Sequence, residues 1–169
     1  TKLVAFLFFI QKKIEIKYDL FHSASELSVE DAKLLFEART HTHLSYAPYS
    51  QFHVAAVAML DDGQIVYGAN QENASYPVGI CAERTLLSAI SSQFPKQKAI
   101  AIAISYQNKL GDSVHPISPC GICRQTLLEY EQRWQAPIKL ILSGQEGNII
   151  VLQSAKDIMP LSFSSDDMK

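Results

Sequence analysis

Cysteine is scarce: the chain of 169 residues contains 3. A low, odd number excludes the disulfide frameworks of small secreted domains and points the thiols towards metal binding or catalysis in a reducing compartment. A surplus of charge is also missing. The 15 Lys and Arg face 17 Asp and Glu, for a formal net charge of -2. The positive field that a nucleic-acid backbone requires is therefore absent, and no nucleic-acid partner is expected. No apolar run reaches the roughly 20 residues needed to cross a bilayer, so no membrane partner is expected either. Internal repeats, low-complexity tracts and Gly/Ser linkers are missing, and with them any sign of a boundary between folded units. What remains is ordinary for a soluble globular protein: 47% hydrophobic and 19% charged residues, in a length that suits one core.

The N-terminus stands apart. Leu3 to Ile10 is an unbroken apolar run. A signal peptide has a hydrophobic segment this short, but Gln11, Lys12 and Lys13 fill the place where small cleavage-site residues belong. The expectation is an edge strand, an oligomer contact, or an incidental start.

Further on, the pattern becomes regular. Ser28 with Asp31 three residues later is a helix start signal, and Leu34, Leu35 and Ala38 give that helix an apolar face up to about Arg39. Tyr46 to Ser50 reads as a loop. Phe52 to Leu60 and Gln64 to Ala69 read as strands about an Asp61-Asp62-Gly63 turn, so the pair predicts a hairpin. Asn70 to Ile80 reads as a loop. Cys81 to Gln93 predicts a helix, stopped by Pro95. Ala99 to Ile104 is a buried strand by its unbroken apolar composition, and Lys109 to Pro119 is a polar loop. A second helix runs from Cys120 to about Gln132. Pro137 to Leu142 and Asn148 to Leu152 are further strands, and Ser154 caps a short helix ended by Pro160. The order predicts a five-stranded mixed sheet with helices on its faces.

All three cysteines fall at predicted helix starts, where the positive end of the helix dipole favours a thiolate. The C-x-x-C spacing of Cys120 and Cys123 lets two sulfurs meet one tetrahedral metal. Cys81 supplies a third if both helices start at one sheet edge. Three ligands leave a position open, which is the catalytic rather than the structural arrangement. Glu83, two residues after Cys81, sits where a proton shuttle belongs. On spacing alone three uses stay open. They are catalytic zinc, structural zinc closed by His115 as a fourth ligand, and a redox or merely packed thiol pair. His22, His41, His43 and His53 receive no role.

These residues resemble the small cytidine deaminases with an all-cysteine zinc site. The resemblance rests on Cys81-Ala82-Glu83-Arg84 and on Pro119-Cys120-Gly121-Ile122-Cys123-Arg124-Gln125. The first of these with the C-x-x-C pair marks the wider zinc deaminases. Ala47 to Phe52, Asn70-Gln71-Glu72-Asn73 and Tyr76 to Ile80 extend the likeness, which runs from about Tyr46 to Phe163. It implies a three-layer α/β/α fold, a single domain over 28–169, and an N-terminal extension over 1–27 that has no counterpart.

The resemblance also implies roles. Cys81, Cys120 and Cys123 bind one zinc per chain. Glu83 takes a proton from the attacking water, delivers it to N3 of the pyrimidine and later protonates the leaving ammonia. Asn70 and Glu72 hold the ribose 3'-hydroxyl, the Ala82 N–H holds the base O2, the Ser118 carbonyl holds the 4-amino group, and Phe52 packs on the base. Tyr76 and Phe163 reach the site of a neighbouring subunit, which implies a homotetramer of shared sites. Three thiolates give the zinc unit a charge of about -1. Arg84 is implied as the residue that hydrogen-bonds the ligand sulfurs and offsets that charge. The implied activity is conversion of cytidine and deoxycytidine to uridine and deoxyuridine, in pyrimidine salvage in the cytoplasm.

Some features depart from the pattern. His53 and Ala55 stand where other small or rigid residues are expected, Ser75 replaces a common Cys, and the loop from Gly111 to Pro116 is long. Two other readings use the same motif. A deaminase of a nucleoside-like antibiotic of the blasticidin type is disfavoured by the Asn70 to Asn73 segment. A non-catalytic zinc-stabilised binding module is disfavoured by Glu83, which a structural site does not need.

Overall fold

The computed structural model describes residues 9–169. Residues 3–8 of the apolar run lie outside the described residues; Phe9 and Ile10 at its end are exposed. Nine elements build the fold, together with short 3-10 turns. They are β1 (Asp19–Phe21), α1 (Val29–Thr40), β2 (Phe52–Leu60), β3 (Ile65–Ala69), α2 (Ala82–Gln93), β4 (Ala99–Asn108), α3 (Gly121–Trp134), β5 (Lys139–Ser143) and β6 (Ile149–Leu152). No helix among the described residues is long and apolar enough to cross a membrane.

Local signals explain most boundaries. Ser28 caps α1 by accepting a hydrogen bond from the Asp31 N–H at 3.1 Å. The β2–β3 hairpin turns through Gly63, whose φ of 86° suits a residue without a Cβ. Ser154 caps a 3-10 turn over Ala155–Ile158.

The sheet has six strands in the order β1-β6-β5-β4-β2-β3, where the sequence predicts five. The additional strand is β1, which pairs antiparallel with β6 through Asp19↔Val151, Leu20↔Ile150 and Phe21↔Ile149. Charged and apolar residues alternate from Lys13 into β1, and the free edge of β6 decides that Asp19–Phe21 is the part that pairs. It falls within the stretch set apart as an extension. A smaller difference is the length of β4. Its polar end, up to Asn108, stays in the sheet because Phe52↔Asn108 and Val54↔Tyr106 pair it with β2.

Alternation along β2 and β4 sorts the core into two faces. Val57, Ala101, Ala103 and Ile141 meet Leu34, Leu35 and Ala38 of α1. Ala56, Ala58, Ile102, Ile104 and Leu140 meet Leu86, Leu87 and Ile90 of α2 and Leu127 of α3. The result is three layers, α/β/α. Truncating a fully buried residue such as Leu87 to Ala would cost about 2–5 kcal/mol.

Topology places the two helix starts together. β3 and β4 are both antiparallel to β2, and β5 is parallel to β4. So α2, after β3, and α3, after β4, leave the same edge of the sheet and pack on the same face. Gly68 lets α2 approach: a Cβ there would lie 2.6 Å from the Ala82 carbonyl oxygen.

Candidate active site

Cys81 is the N-cap of α2 and Cys120 the N-cap of α3, and neither side chain caps its helix. Both thiols are thus free to point to a common centre, and Cys123 joins them from the first turn of α3. Cys81 Sγ lies 3.8 Å from Cys120 Sγ, and Cys120 Sγ lies 3.4 Å from Cys123 Sγ. Sulfurs bound to one tetrahedral zinc at about 2.3 Å stand roughly 3.8 Å apart. The donor set and its spacing therefore fit zinc, with a fourth position left for another ligand. Without the ion, a hydrogen bond from the Cys123 thiol pushes Cys81 down to about 6. The same bond holds Cys123 well above the usual thiol range.

His115 is not in this group. Its Nδ1 lies 3.5 Å from Asp112 Oδ1, and its ring lies edge-on to Tyr106 at 5.8 Å. Among the described residues the metal-binding cluster consists of the three thiols, so the reading in which His115 closes a structural site is corrected. The loop from Gly111 turns the imidazole towards Tyr106 rather than towards the helix starts.

Glu83, in the first turn of α2, is 5% exposed. Burial raises its carboxyl above the ordinary range, against smaller downward pulls from its own backbone N–H and the Cys123 thiol. It faces a cavity of about 440 Å³, lined also by Phe52, Asn70, Glu72, Ala82 and Ser118, with Cys81 and Cys120 at the helix starts. Eight of the twelve residues singled out in the sequence are thus brought to one cavity; Cys123 does not line it, but its Sγ lies 3.4 Å from that of Cys120, which does. The Ala82 N–H belongs to the first turn of α2 and has no partner within the helix.

The polar wall has a structure of its own. Asn70, just after β3, accepts from the Val54 N–H at 2.8 Å and donates to the Phe52 carbonyl at 3.0 Å. Its amide therefore fastens the start of β2 and keeps only one lone pair and one N–H for anything else. Glu72 Oε2 accepts from the N–H groups of Tyr49 at 2.9 Å and Ser50 at 3.2 Å. Hydrogen bonding by Ser50 foremost holds the Glu72 carboxyl below the usual range, so it is firmly ionised. An adjoining cavity of about 440 Å³ shares Ser50, Asn70, Glu72 and Cys81 with the first, and Tyr76 lines it. Tyr76 is 77% exposed and meets Tyr49 edge-on at 6.2 Å.

Two residues lie elsewhere. Phe163 is 58% exposed and lines neither cavity; its carbonyl accepts from Gln125 Nε2 at 2.9 Å. Arg84 is half-buried and acts on Cys81 as a nearby positive charge. Among the described residues its guanidinium makes no hydrogen bond to a ligand sulfur, which differs from the expected contact.

Other residues support the site without having been singled out by a role. Tyr106, fully buried, stacks behind Phe52 with ring centroids 4.8 Å apart. Arg124 donates to the carbonyls of Pro119 at 2.8 Å and Ile158 at 3.2 Å, tying the residue before Cys120 to the C-terminal segment. Glu131 is buried and accepts from the N–H groups of Ile138 and Ala155, both at 2.7 Å. The only signal for Glu131 was its place on the buried stripe of Cys123 and Leu127, at helical spacing.

Three thiols at two helix starts, with a buried glutamate beside them outside the metal-binding cluster, match the class of zinc deaminases. Comparison with known proteins narrows the class. The family described as "Cytidine and deoxycytidylate deaminase zinc-binding region" matches residues 28–135. A cytidine deaminase from Halalkalibacterium halodurans is 36% identical over 124 residues, covering 73% of this chain and 86% of its own. One from Sporosarcina psychrophila is 34% identical over 137 residues, covering 80% and 93%. The crystal structure of cytidine deaminase from Burkholderia pseudomallei superposes with a TM-score of 0.64 at 34% identity, over 78% of this chain and 97% of that one. The chain belongs to the cytidine and deoxycytidylate deaminase family.

Proposed function

We propose that the chain hydrolyses cytidine and deoxycytidine to uridine and deoxyuridine with release of ammonia, as a step of pyrimidine salvage. The observation that carries this reading is the buried Glu83 carboxyl, held in the same cavity as the metal-binding thiols. Zinc, held by Cys81, Cys120 and Cys123, supplies acidification of a water at neutral pH. Every other task falls to the chain. Glu83 takes one proton of the attacking water and gives it to N3, then takes the second from the new hydroxyl on C4 and gives it to the 4-amino group, which leaves as ammonia. Burial, which raises the Glu83 pKa, suits a group that must hold and return a proton. Phe52, backed by Tyr106, presents a flat face to the base. The Ala82 N–H donates to O2 and the Ser118 carbonyl accepts from the 4-amino group. Glu72 and Asn70 hold the ribose 3'-hydroxyl, with Glu72 as the ionised acceptor. If these two read only that hydroxyl, both nucleosides are substrates. Arg84 places a positive charge beside the ligand thiolates.

The active form is a homotetramer with shared sites, in which Tyr76 and Phe163 complete the site of a neighbouring copy. Their exposure in the single chain supports this, because it leaves two large aromatic side chains for a neighbouring copy to cover. Residues 28–169 are the deaminase domain, and 1–27 are an extension in which β1 adds an edge strand. Three free thiols and a thiolate site suit the reducing cytoplasm.

The test is direct. Zinc-loaded protein is incubated with cytidine, deoxycytidine and a blasticidin-type nucleoside, while the absorbance of the base and free ammonia are measured. Loss of the cytosine chromophore with one ammonia per nucleoside is expected for the first two. Turnover of the antibiotic alone refutes the salvage reading, and turnover of none leaves a zinc-stabilised binding module.

A further inference from the structure

The arm before β1 has a pattern of its own. From Lys13 the order is Lys13, Ile14, Glu15, Ile16, Lys17, Tyr18, Asp19, Leu20. Charged and apolar residues alternate with period two, as in a strand with one wet face. Only the end of this segment is paired, as β1 on β6. Residues 9–18 belong to no strand among the described residues. The apolar side is uncovered: Ile14, Ile16, Tyr18 and Leu20 are each about half exposed. The charged side already behaves as one face, since Lys13 Nζ lies 2.6 Å from Glu15 Oε1. A strand with a free backbone and a bare apolar stripe is a template for a further strand.

We propose that this arm is a contact surface for a second copy of the chain, the two arms pairing antiparallel about a two-fold axis at Ile16. The order of charges selects both partner and register. With Ile16 opposite Ile16, Lys13 faces Asp19 and Glu15 faces Lys17, and symmetry makes each pair occur twice. Opposite charges directly across an antiparallel ladder are favourable. On the other face Ile14 meets Tyr18. Other registers pair fewer charges or conflict: a centre at Ile14 or at Tyr18 keeps only Lys13 with Glu15 or Lys17 with Asp19. A centre at Glu15 sets Lys13 against Lys17 and Glu15 against itself. A centre at Lys17 sets Lys17 against itself and Glu15 against Asp19. A slip of one residue puts charged side chains opposite apolar ones. Parallel in-register pairing sets every charge against its own kind. Ile16 is thus the one centre that sets all four charges of the segment against their opposites, which is the signature of an isologous contact. It lies before residue 28, outside the family match, and does not depend on the deaminase reading.

The test uses the full zinc-loaded chain and a carbodiimide, which links a lysine to a carboxylate in direct contact. Within one extended arm Lys13 and Asp19 are about 20 Å apart, too far for such a link. The expected product is a two-chain band on a denaturing gel whose digest contains Lys13 joined to Asp19. Lys17→Glu leaves both linked residues in place but opposes Glu15 with an acid, so the yield should fall several-fold. Adding Glu15→Lys to it restores opposite charges and should restore the yield. Zinc content and melting temperature, unchanged in both variants, show that the fold is intact. The absence of the Lys13–Asp19 link between chains, an unchanged yield in Lys17→Glu, or no recovery in the double variant would each overturn the proposal.

Discussion

Glu83→Gln removes a proton carrier while keeping the shape of the cavity. The side chain is 5% exposed, and the amide has nearly the same volume, so neither a void nor a clash arises. Glu83 is not among the metal-binding groups, so the variant should keep one zinc per chain. Phe52, Asn70, Glu72 and Ser118 are untouched, so KM should change little. The whole effect should fall on kcat, with a loss of about 10²–10⁴-fold, the scale of general acid–base catalysis, or roughly 3–5 kcal/mol of barrier. A stability effect of opposite sign accompanies it. Burial raises the Glu83 carboxyl above its unfolded value, so the folded state is penalised as pH climbs above the ordinary carboxyl range. Metal-free Glu83→Gln should therefore melt no lower than wild type at neutral pH. The assays are cytidine turnover, bound zinc and thermal melting. Loss of zinc together with activity would make Glu83 a ligand and refute the reasoning. Retention of full activity would place the proton shuttle elsewhere.

Cys120→Ala should lower zinc affinity and also destabilise the fold, because metal binding is coupled to folding; full activity with one zinc per chain would remove Cys120 from the site. Glu72→Gln weakens the hold on the N–H groups of Tyr49 and Ser50. Since the Glu72 carboxyl is held below its ordinary range, wild type should out-melt the variant above that range and lose its advantage as pH falls through the folded value. A melting difference that grows towards acid pH would contradict this. Phe163→Ala should weaken cytidine binding by roughly 1–2 kcal/mol, one lost aromatic contact, with zinc and melting nearly unchanged. Hybrids of Phe163→Ala with Glu83→Gln chains should contain some active sites of wild-type affinity. If every exchanging hybrid keeps the weakened affinity, Phe163 serves its own subunit's site.

Local information was enough for the parts whose cause is local. Cys81, Cys120 and Glu83 stand at helix starts signalled by loops ending in Ile80 and Pro119, and the Cys120 to Cys123 spacing is a property of one helical turn. The cap at Ser28, the turn at Gly63 and the apolar strands β2, β4 and β5 were legible because period, propensity and turn chemistry agree within a few residues. That all three thiols share one centre was only conditional in the sequence. It needed α2 and α3 to leave the same sheet edge, which strand order decides.

What the sequence alone could not show depends on partners far along the chain. β1 exists because β6 offers an edge to the last residues of an alternating arm, and the alternation itself does not say which part of the arm pairs. The polar end of β4 remains a strand because β2 continues opposite it, which places Tyr106 behind Phe52. Asn70 is implied as a ribose contact, yet its amide also fastens β2; Glu131 has no role in the sequence reading, and it satisfies backbone N–H groups before β5 and after β6. His115 lies five residues from Cys120 and still points to Tyr106. In each case the deciding interaction is a hydrogen bond or a packed ring between segments separated by many residues. Residue type and spacing state what a side chain is able to do, and only the tertiary arrangement decides which group it meets.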